Sequence, residues 1–204
     1  MKKKIIIIFG PQGSGKGTQA EILSKNLSLP HISTGELFRA AIKKKNKPQG
    51  EIAEIINKGK LVSDELTFQL LQERLSKKDC QGGFILDGYP RTIKQAELLD
   101  NRFKIDKVIE IDISDKESIK RLVNRRQDPI TGKIYNLYTV PKPSSRIKGR
   151  LVQRKDDRKR AIKKRLKNYH KNTKQILKYY KNKAVRINGE QDIKRVALDI
   201  AKIV

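Results

Sequence analysis

The sequence predicts an α/β fold of three layers, a parallel five-stranded sheet with helices on both faces. Three observations predict it. Short, continuous apolar runs recur along the chain, each bounded by turn residues. Between them lie stretches with helical spacing and helix-start signals. One long segment punctuated by proline and glycine, from about 127 to 153, breaks that alternation, as an inserted lid or binding loop does.

The elements follow in order. Ile5-Ile-Ile-Ile-Phe9 is β-branched and ends at Gly10, so it reads as a buried strand. A helical pattern follows through Ile22 and Leu23, and Leu29 to Ile32, beside Pro30, reads as a second, short strand. Ser33-Thr-Gly-Glu36 fits a capping box, with a hydroxyl at the N-cap and Glu three residues on. Phe84-Ile-Leu86 sits between Gly82-Gly83 and Asp87-Gly88 as the third strand, and Lys107 to Ile113 is the fourth. Ser114-Asp-Lys-Glu117 is another capping box. Late in the chain Ile162, Leu166, Tyr169, Thr173, Ile176 and Tyr180 give one buried stripe on a long helix. Ala184-Val-Arg-Ile187 is the fifth strand, and Ile193, Val196, Ala197 and Ile200 mark a final helix.

Composition bounds the function. The chain has 204 residues, 48 Lys+Arg against 22 Asp+Glu, and a formal net charge of +26. One domain is expected at this length. No apolar run approaches the roughly 20 residues that span a bilayer, so no membrane role is expected. The Lys-rich start before Ile5 imitates a signal peptide, but its apolar stretch is too short and runs into Gly10-Pro11. The expectation is a cytoplasmic protein. The single Cys80 excludes an intramolecular disulfide and a multi-cysteine zinc site. A charge this basic is also the footprint of a nucleic-acid binder. Between Lys142 and Lys183 there are 18 Lys or Arg against Asp156 and Asp157 alone. The bland reading of that run is a solvated helix face. Aromatics are sparse, which disfavours base stacking, and no specific nucleic-acid partner is expected.

The chemistry lies after the first strand. Gly10-Pro-Gln-Gly13-Ser-Gly15-Lys16-Gly17-Thr18 matches G-x-x-x-x-G-K between a strand and a helix, the P-loop context. Its glycines let successive N–H groups turn inward as an anion nest, the helix adds its positive end, and Lys16 adds a full charge. Gly17 stands where most P-loops carry a Ser or Thr for Mg²⁺. The metal is therefore expected to be held by phosphates and water, with Asp87, at the end of a buried strand, as the carboxylate reaching it through water.

Five blocks together resemble the adenylate kinase family: Gly13 to Gln19, His31-Ile-Ser-Thr-Gly-Glu-Leu-Phe-Arg39, Gly59 to Glu65, Gly83-Phe-Ile-Leu-Asp-Gly-Tyr-Pro-Arg-Thr92, and Arg154-Lys-Asp-Asp157. The resemblance covers nearly the whole chain. It implies a single P-loop kinase domain with core segments 1–32, 63–123 and 158–204, an AMP-binding insertion 33–62 and a lid 124–157. It implies Mg²⁺-dependent transfer between ATP and AMP by a monomer. The donor site falls on Gly13, Ser14, Gly15, Lys16, Gly17, Thr18, Arg121, Arg125, Ile134, Tyr135 and Gln191. The acceptor site falls on Thr34, Arg39, Lys60, Leu61, Val62, Gly88, Tyr89, Pro90, Arg91, Gln95, Arg154 and Arg165. Thr34 and Gln95 are to contact the base, and Arg39 and Arg91 the phosphate. Lys16, Arg91, Arg125, Arg154 and Arg165 are the catalytic set.

Arg121 and Arg125 are expected on one face of the helix before the lid, and Asp156 and Asp157 are expected to orient the arginines. His31 and His170 read as structural. Tyr89 replaces a usual Phe, and Glu36 a usual Asp. The lid carries no cysteine, so no zinc is expected, and polar pairs and tyrosines are left to hold it. A GTP donor or a UMP or CMP acceptor is the near alternative. An RNA-binding P-loop NTPase is the distant one.

Overall fold

The computed structural model describes residues 3–43, 54–55, 61–138 and 143–204. Its centre is a parallel sheet of β1 (Lys4–Phe9), β2 (His31–Ser33), β3 (Gly83–Asp87), β4 (Lys107–Asp112) and β7 (Ala184–Asn188), in the order β2-β3-β1-β4-β7. The short second strand is shifted toward Ser33, and its neighbour Pro30 gives its carbonyl to the Ile85 N–H at 2.9 Å.

The apolar runs are continuous because both faces of the sheet are buried, while the side-chain period of two divides them. Ile5, Ile7 and Phe9 point to one face, with Leu71 and Leu99 of α3 (Asp64–Leu75) and α4 (Ile93–Asp100). Ile6 and Ile8 point to the other. There they meet Ala20 and Leu23 of α1 (Lys16–Leu27) and Val196 and Ile200 of α9 (Ile193–Ala201). The first residue of the final helix, Ile193, is half exposed and lies outside that core.

The expected long helix is α7 (Lys159–Asn168), a π-helical turn (Tyr169–Thr173) and α8 (Lys174–Tyr179) in succession. All six stripe residues from Ile162 to Tyr180 are buried. Helix α2 (Thr34–Lys43) starts directly after Ser33. The second capping box is only half formed. Ser114 Oγ accepts the Glu117 N–H at 3.3 Å at the start of α5 (Asp115–Val123), as predicted. The Glu117 carboxylate turns instead to Arg121 Nε at 2.8 Å, and Glu190 takes the Ser114 N–H at 2.9 Å.

Between α5 and α7 a second, two-stranded sheet stands apart from the central one. Strands β5 (Arg125–Gln127) and β6 (Ile134–Asn136) make an antiparallel hairpin. After it come a short helix α6 (Ser145–Lys148) and a bridge from Val152 back to Gln127. The expectation that Arg125 shares a helix face with Arg121 is therefore wrong. Helix α5 stops at Val123, Asn124 caps it through Lys120 O at 2.8 Å and also accepts the Leu137 N–H, and the chain leaves as a strand.

Polar pairs do tie this unit together. Asp128, 1% exposed, accepts two hydrogen bonds from Arg150 at 3.0 and 2.6 Å. It also caps Ile130 N and Thr131 Oγ1. The Arg150 guanidinium holds the Asp128 carboxyl well below the usual carboxylate range.

Candidate active site

The strands all point their C-terminal ends the same way, and the site gathers there, as ligand sites in open parallel sheets do. The loop from Gly10 to Gly15 leaves β1 so close to β4 that a Cβ on Gly10 would lie 2.2 Å from the Ile111 carbonyl oxygen. Gly15, at φ 93°, leads into α1, and no side chain caps that helix end. Its first N–H groups are therefore left without a side-chain partner, free for an anion. Ser118 of α5 fixes the loop from behind by donating to the Gln12 carbonyl. Lys16 folds over the loop and donates to the Gly10 and Pro11 carbonyls, both at 2.8 Å.

Lys16 is half-buried, and desolvation lowers its pKa to about 8. The Asp87 carboxylate opposes that shift, and Arg91, Arg165 and Arg125 add to it. Asp87 closes β3 beside Lys16. His31 Nε2 lies 3.5 Å from its Oδ2. Burial disfavours the charged imidazole, but the carboxylate outweighs it and raises the His31 pKa. His31 thus sits nearer the chemistry than the structural role the sequence suggested. A Cβ on Gly17 would be 3.5 Å from Asp87 Oδ2, so the missing side chain leaves the carboxylate's front open.

Beside this loop is a pocket. Of the residues expected around an acceptor nucleotide, Thr34, Arg39, Leu61, Val62, Gly88, Arg91, Gln95 and Arg165 all line it. Thr34 Oγ1 donates to the Gly88 carbonyl at 2.9 Å, and Arg91 Nε donates to the same oxygen at 2.7 Å. Gln95 is buried. Its Oε1 accepts the Arg91 N–H at 2.7 Å and its Nε2 donates to Asp64 Oδ1 at 2.7 Å, which fixes the amide's orientation. One lone pair and one N–H remain for a ligand. Phe38, Thr67, Tyr169 and Thr173 also line the pocket, and the sequence reading missed them. Tyr169 and Thr173 had a signal, since they are members of the inward stripe. Gln12, which also lines the pocket, had none beyond being a polar residue in a glycine-rich loop.

Over the pocket stand the remaining arginines. Arg125 makes two hydrogen bonds to the fully buried Asp157, at 2.8 and 2.6 Å. Arg165 pairs with Asp156 at 2.8 Å and reaches Asp157 at 3.5 Å. The two acids orient the arginines as expected. Arg154 donates to Gln127 Oε1 at 2.9 Å. Burial pushes Arg165 and Arg154 down to about 10; Asp156 resists this in both, and Arg125 reinforces it. Burial also lowers Arg39 and Arg91. These cations are crowded, partly desolvated and mutually repelling, which is an arrangement that a polyanion relieves.

The other expected residues are less converged. Arg121 Nη1 reaches the Gly13 carbonyl at 3.5 Å, and Ser14 is buried in the loop. Thr18 is exposed on α1. Tyr89 is buried in the core and its hydroxyl donates to the Gln95 carbonyl at 3.2 Å, so its side chain does not line the pocket; neither does the buried Pro90. Ile134 and Tyr135 lie on β6, where Ile134 is exposed. Gln191 donates to the Asn188 carbonyl at 3.0 Å in the turn after β7. Lys60 lies outside the described residues. Among the described residues no three His, Cys, Asp or Glu come together as a metal cluster, and no helix is long and apolar enough to cross a membrane.

A family profile described as adenylate kinase matches residues 8–185. An adenylate kinase of Thermosipho africanus is 40% identical, over 98% of this chain and 98% of its own length. One of Fusobacterium nucleatum is 40% identical over 97% of each chain, and one of Thermotoga petrophila is 40% identical over 98% of this chain and 96% of its own.

Proposed function

The chain belongs to the adenylate kinase family of nucleoside monophosphate kinases, and on that premise we propose that it catalyses ATP + AMP ⇌ 2 ADP. The observation that carries this reading is the pocket lined by Thr34, Arg39, Gly88, Arg91, Gln95 and Arg165 beside the P-loop. Two anionic nucleotides repel each other, and a ring of oriented cations offsets that repulsion where they meet.

In this reading the P-loop amides and Lys16 hold the donor phosphates. Arg39 and Arg91 grip the acceptor phosphate as planar forks. Thr34 and the free valences of Gln95 read the adenine edge. Arg125, Arg154 and Arg165 neutralise charge on the phosphoryl group in flight. The attacking phosphate oxygen is already anionic, so no general base is required, and positioning and electrostatics supply the rate. The acceptor-side and lid insertions close over the bound nucleotides and exclude water.

A magnesium ion on the donor phosphates would lie nearest Asp87. One carboxylate, Asp87, faces the open side of Gly17, and Mg²⁺ commonly keeps phosphate and water ligands around one or two carboxylates. Asp87 would hold the ion, which would neutralise charge on the donor phosphates. The enzyme works as a cytoplasmic monomer, and light scattering on the purified chain tests its oligomeric state.

The deciding experiment is coupled detection of ADP from ATP and AMP, with GTP as the other donor and UMP and CMP as other acceptors. The expected result is turnover with ATP and AMP, with every alternative at least about tenfold poorer in kcat/KM. Equal use of GTP, or a preference for UMP or CMP, would overturn the substrate assignment.

A further inference from the structure

The continuous helical rod of α7, the π turn and α8 carries two interleaved registers. Its buried stripe falls at 162, 166, 169, 173, 176 and 180. Two residues earlier at every step stand Arg160, Lys164, Lys167, Lys171, Lys174 and Lys178. Two residues is about 200° around a helix, so this second set lies opposite the core. All six are exposed. No acidic partner accompanies any of them among the described residues, and the sequence holds no Asp or Glu from 158 to 189. Arg165 and Arg186, which do pair with acids, lie off the ridge. The ridge is about 27 Å long at 1.5 Å per residue. Like charges three and four apart repel along the whole helix, and no acid among the described residues offsets that.

We propose that this ridge is a docking surface for the phosphate backbone of a nucleic-acid duplex, bound without regard to sequence. A duplex is a rigid polyanion with a charge every 1.7 Å or so along its axis, so a straight row of cations about 5 Å apart meets dense negative charge along its length. The ridge positions themselves carry no aromatic, and the exposed Tyr179 beside Lys178 is already packed edge-on against Tyr180, so the ridge grips phosphates and does not read bases. A membrane surface fits less well, because the apolar face that would enter lipid is already packed into the core. An acidic protein fits less well too, because the ridge offers no apolar or aromatic anchor of the kind that dominates protein interfaces.

The test is fluorescence anisotropy with a labelled 20-base-pair duplex of mixed sequence between 50 and 300 mM KCl. A ridge variant carries Lys164→Gln, Lys167→Gln, Lys171→Gln and Lys174→Gln. A control variant carries Lys25→Gln, Lys77→Gln, Lys104→Gln and Lys116→Gln, with the same net charge removed elsewhere. ADP formation and melting temperature establish that both variants are folded.

Wild type is expected to bind with a steep salt dependence. The ridge variant is expected to flatten the log–log slope by about 3 to 4, at roughly 0.9 for each phosphate that is no longer neutralised. The control is expected to change it by less than about 1. Three results would each overturn the proposal: no binding at 50 mM KCl, equal losses in the two variants, or displacement of the duplex by phosphatidylserine vesicles at equal anion concentration.

Discussion

Lys16 and Asp157 show how single residues here hold charge where it is costly. Lys16 has a folded pKa near 8, below the 10.5 of an unfolded lysine, chiefly because it is buried. Between those values the unfolded chain binds more protons than the folded one, so this group's contribution to stability grows as pH rises from about 8 to 10.5. Lys16→Met removes that contribution. The urea midpoint of the variant should rise less than that of wild type between pH 7.5 and 9.5, and parallel midpoints would refute a depressed Lys16. The same variant loses the cation over the donor phosphates, and its kcat/KM should fall by at least about 10². Asp157 is buried with two arginines on it. Asp157→Asn keeps the shape and removes the charge, so Arg125 loses its anchor and Arg165 keeps only Asp156. A fall in kcat of about 10² is expected, the cost typical of misplaced catalytic groups. Unchanged turnover would show that the arginines orient themselves. At this scale the sequence was legible where a residue's place follows from its type within a motif: Lys16 closes the glycine loop, Arg91 lines the pocket, and Asp156 and Asp157 pair with arginines. It was not legible where a partner comes from a distant segment. Gln95 is tied to Asp64, His31 is set against Asp87, and Tyr169 donates to Glu110 at 3.3 Å; each pairing exists only once the sheet is assembled.

Elements were legible through period. The isoleucine run from 5 to 8 splits between two cores because strands alternate, and the stripe from Ile162 to Tyr180 is buried throughout because helical spacing survives the π turn. End points were less legible, because caps compete. Glu117 could reach back to Ser114 or forward to Arg121. It took the cation, and Glu190 filled the place it left. Arg125 fell in a strand because Asn124 closes α5 and opens the hairpin, a choice that helical spacing cannot reveal. The cap of α9 had no such rival. Asp192 accepts the N–H groups of Lys194 and Arg195 at 2.9 and 3.0 Å, and α9 packs Val196 and Ile200 onto the sheet. Asp192→Ala should cost about 1 kcal/mol. In a chain of this size that lowers Tm by about 2–4 °C, with kcat unchanged because, among the described residues, Asp192 bonds only the start of its own helix and neither the pocket arginines nor Lys16. Calorimetry and a steady-state assay on one preparation check both halves.

At the scale of the whole molecule the +26 charge acts in two opposite ways. The fold places one part of it, Lys16 and the pocket arginines, at the C-terminal end of the sheet, where the proposed nucleotides would neutralise it. The larger part is spread over the surface, and there are too few acids to pair with it. Surface repulsion destabilises the compact state, and its range shrinks from about 30 Å at 0.01 M salt to about 10 Å at 0.1 M. Raising NaCl over that interval should therefore raise Tm. Surface ion pairs such as Lys94–Glu65, 2.6 Å apart and exposed, weaken over the same interval, but each contributes little. The same screening shortens the reach of the field that draws anionic nucleotides in, so KM for ATP and AMP should rise with salt while Tm rises. The pairing of the two effects is the informative part. A surface coat that only tuned solubility would move Tm and leave KM alone, and a field confined to the pocket would move KM and leave Tm alone. Melting curves and initial rates at matched ionic strengths, with sucrose controls for viscosity, distinguish these cases. A Tm that falls with salt would mean that paired charges, rather than surplus ones, dominate this surface.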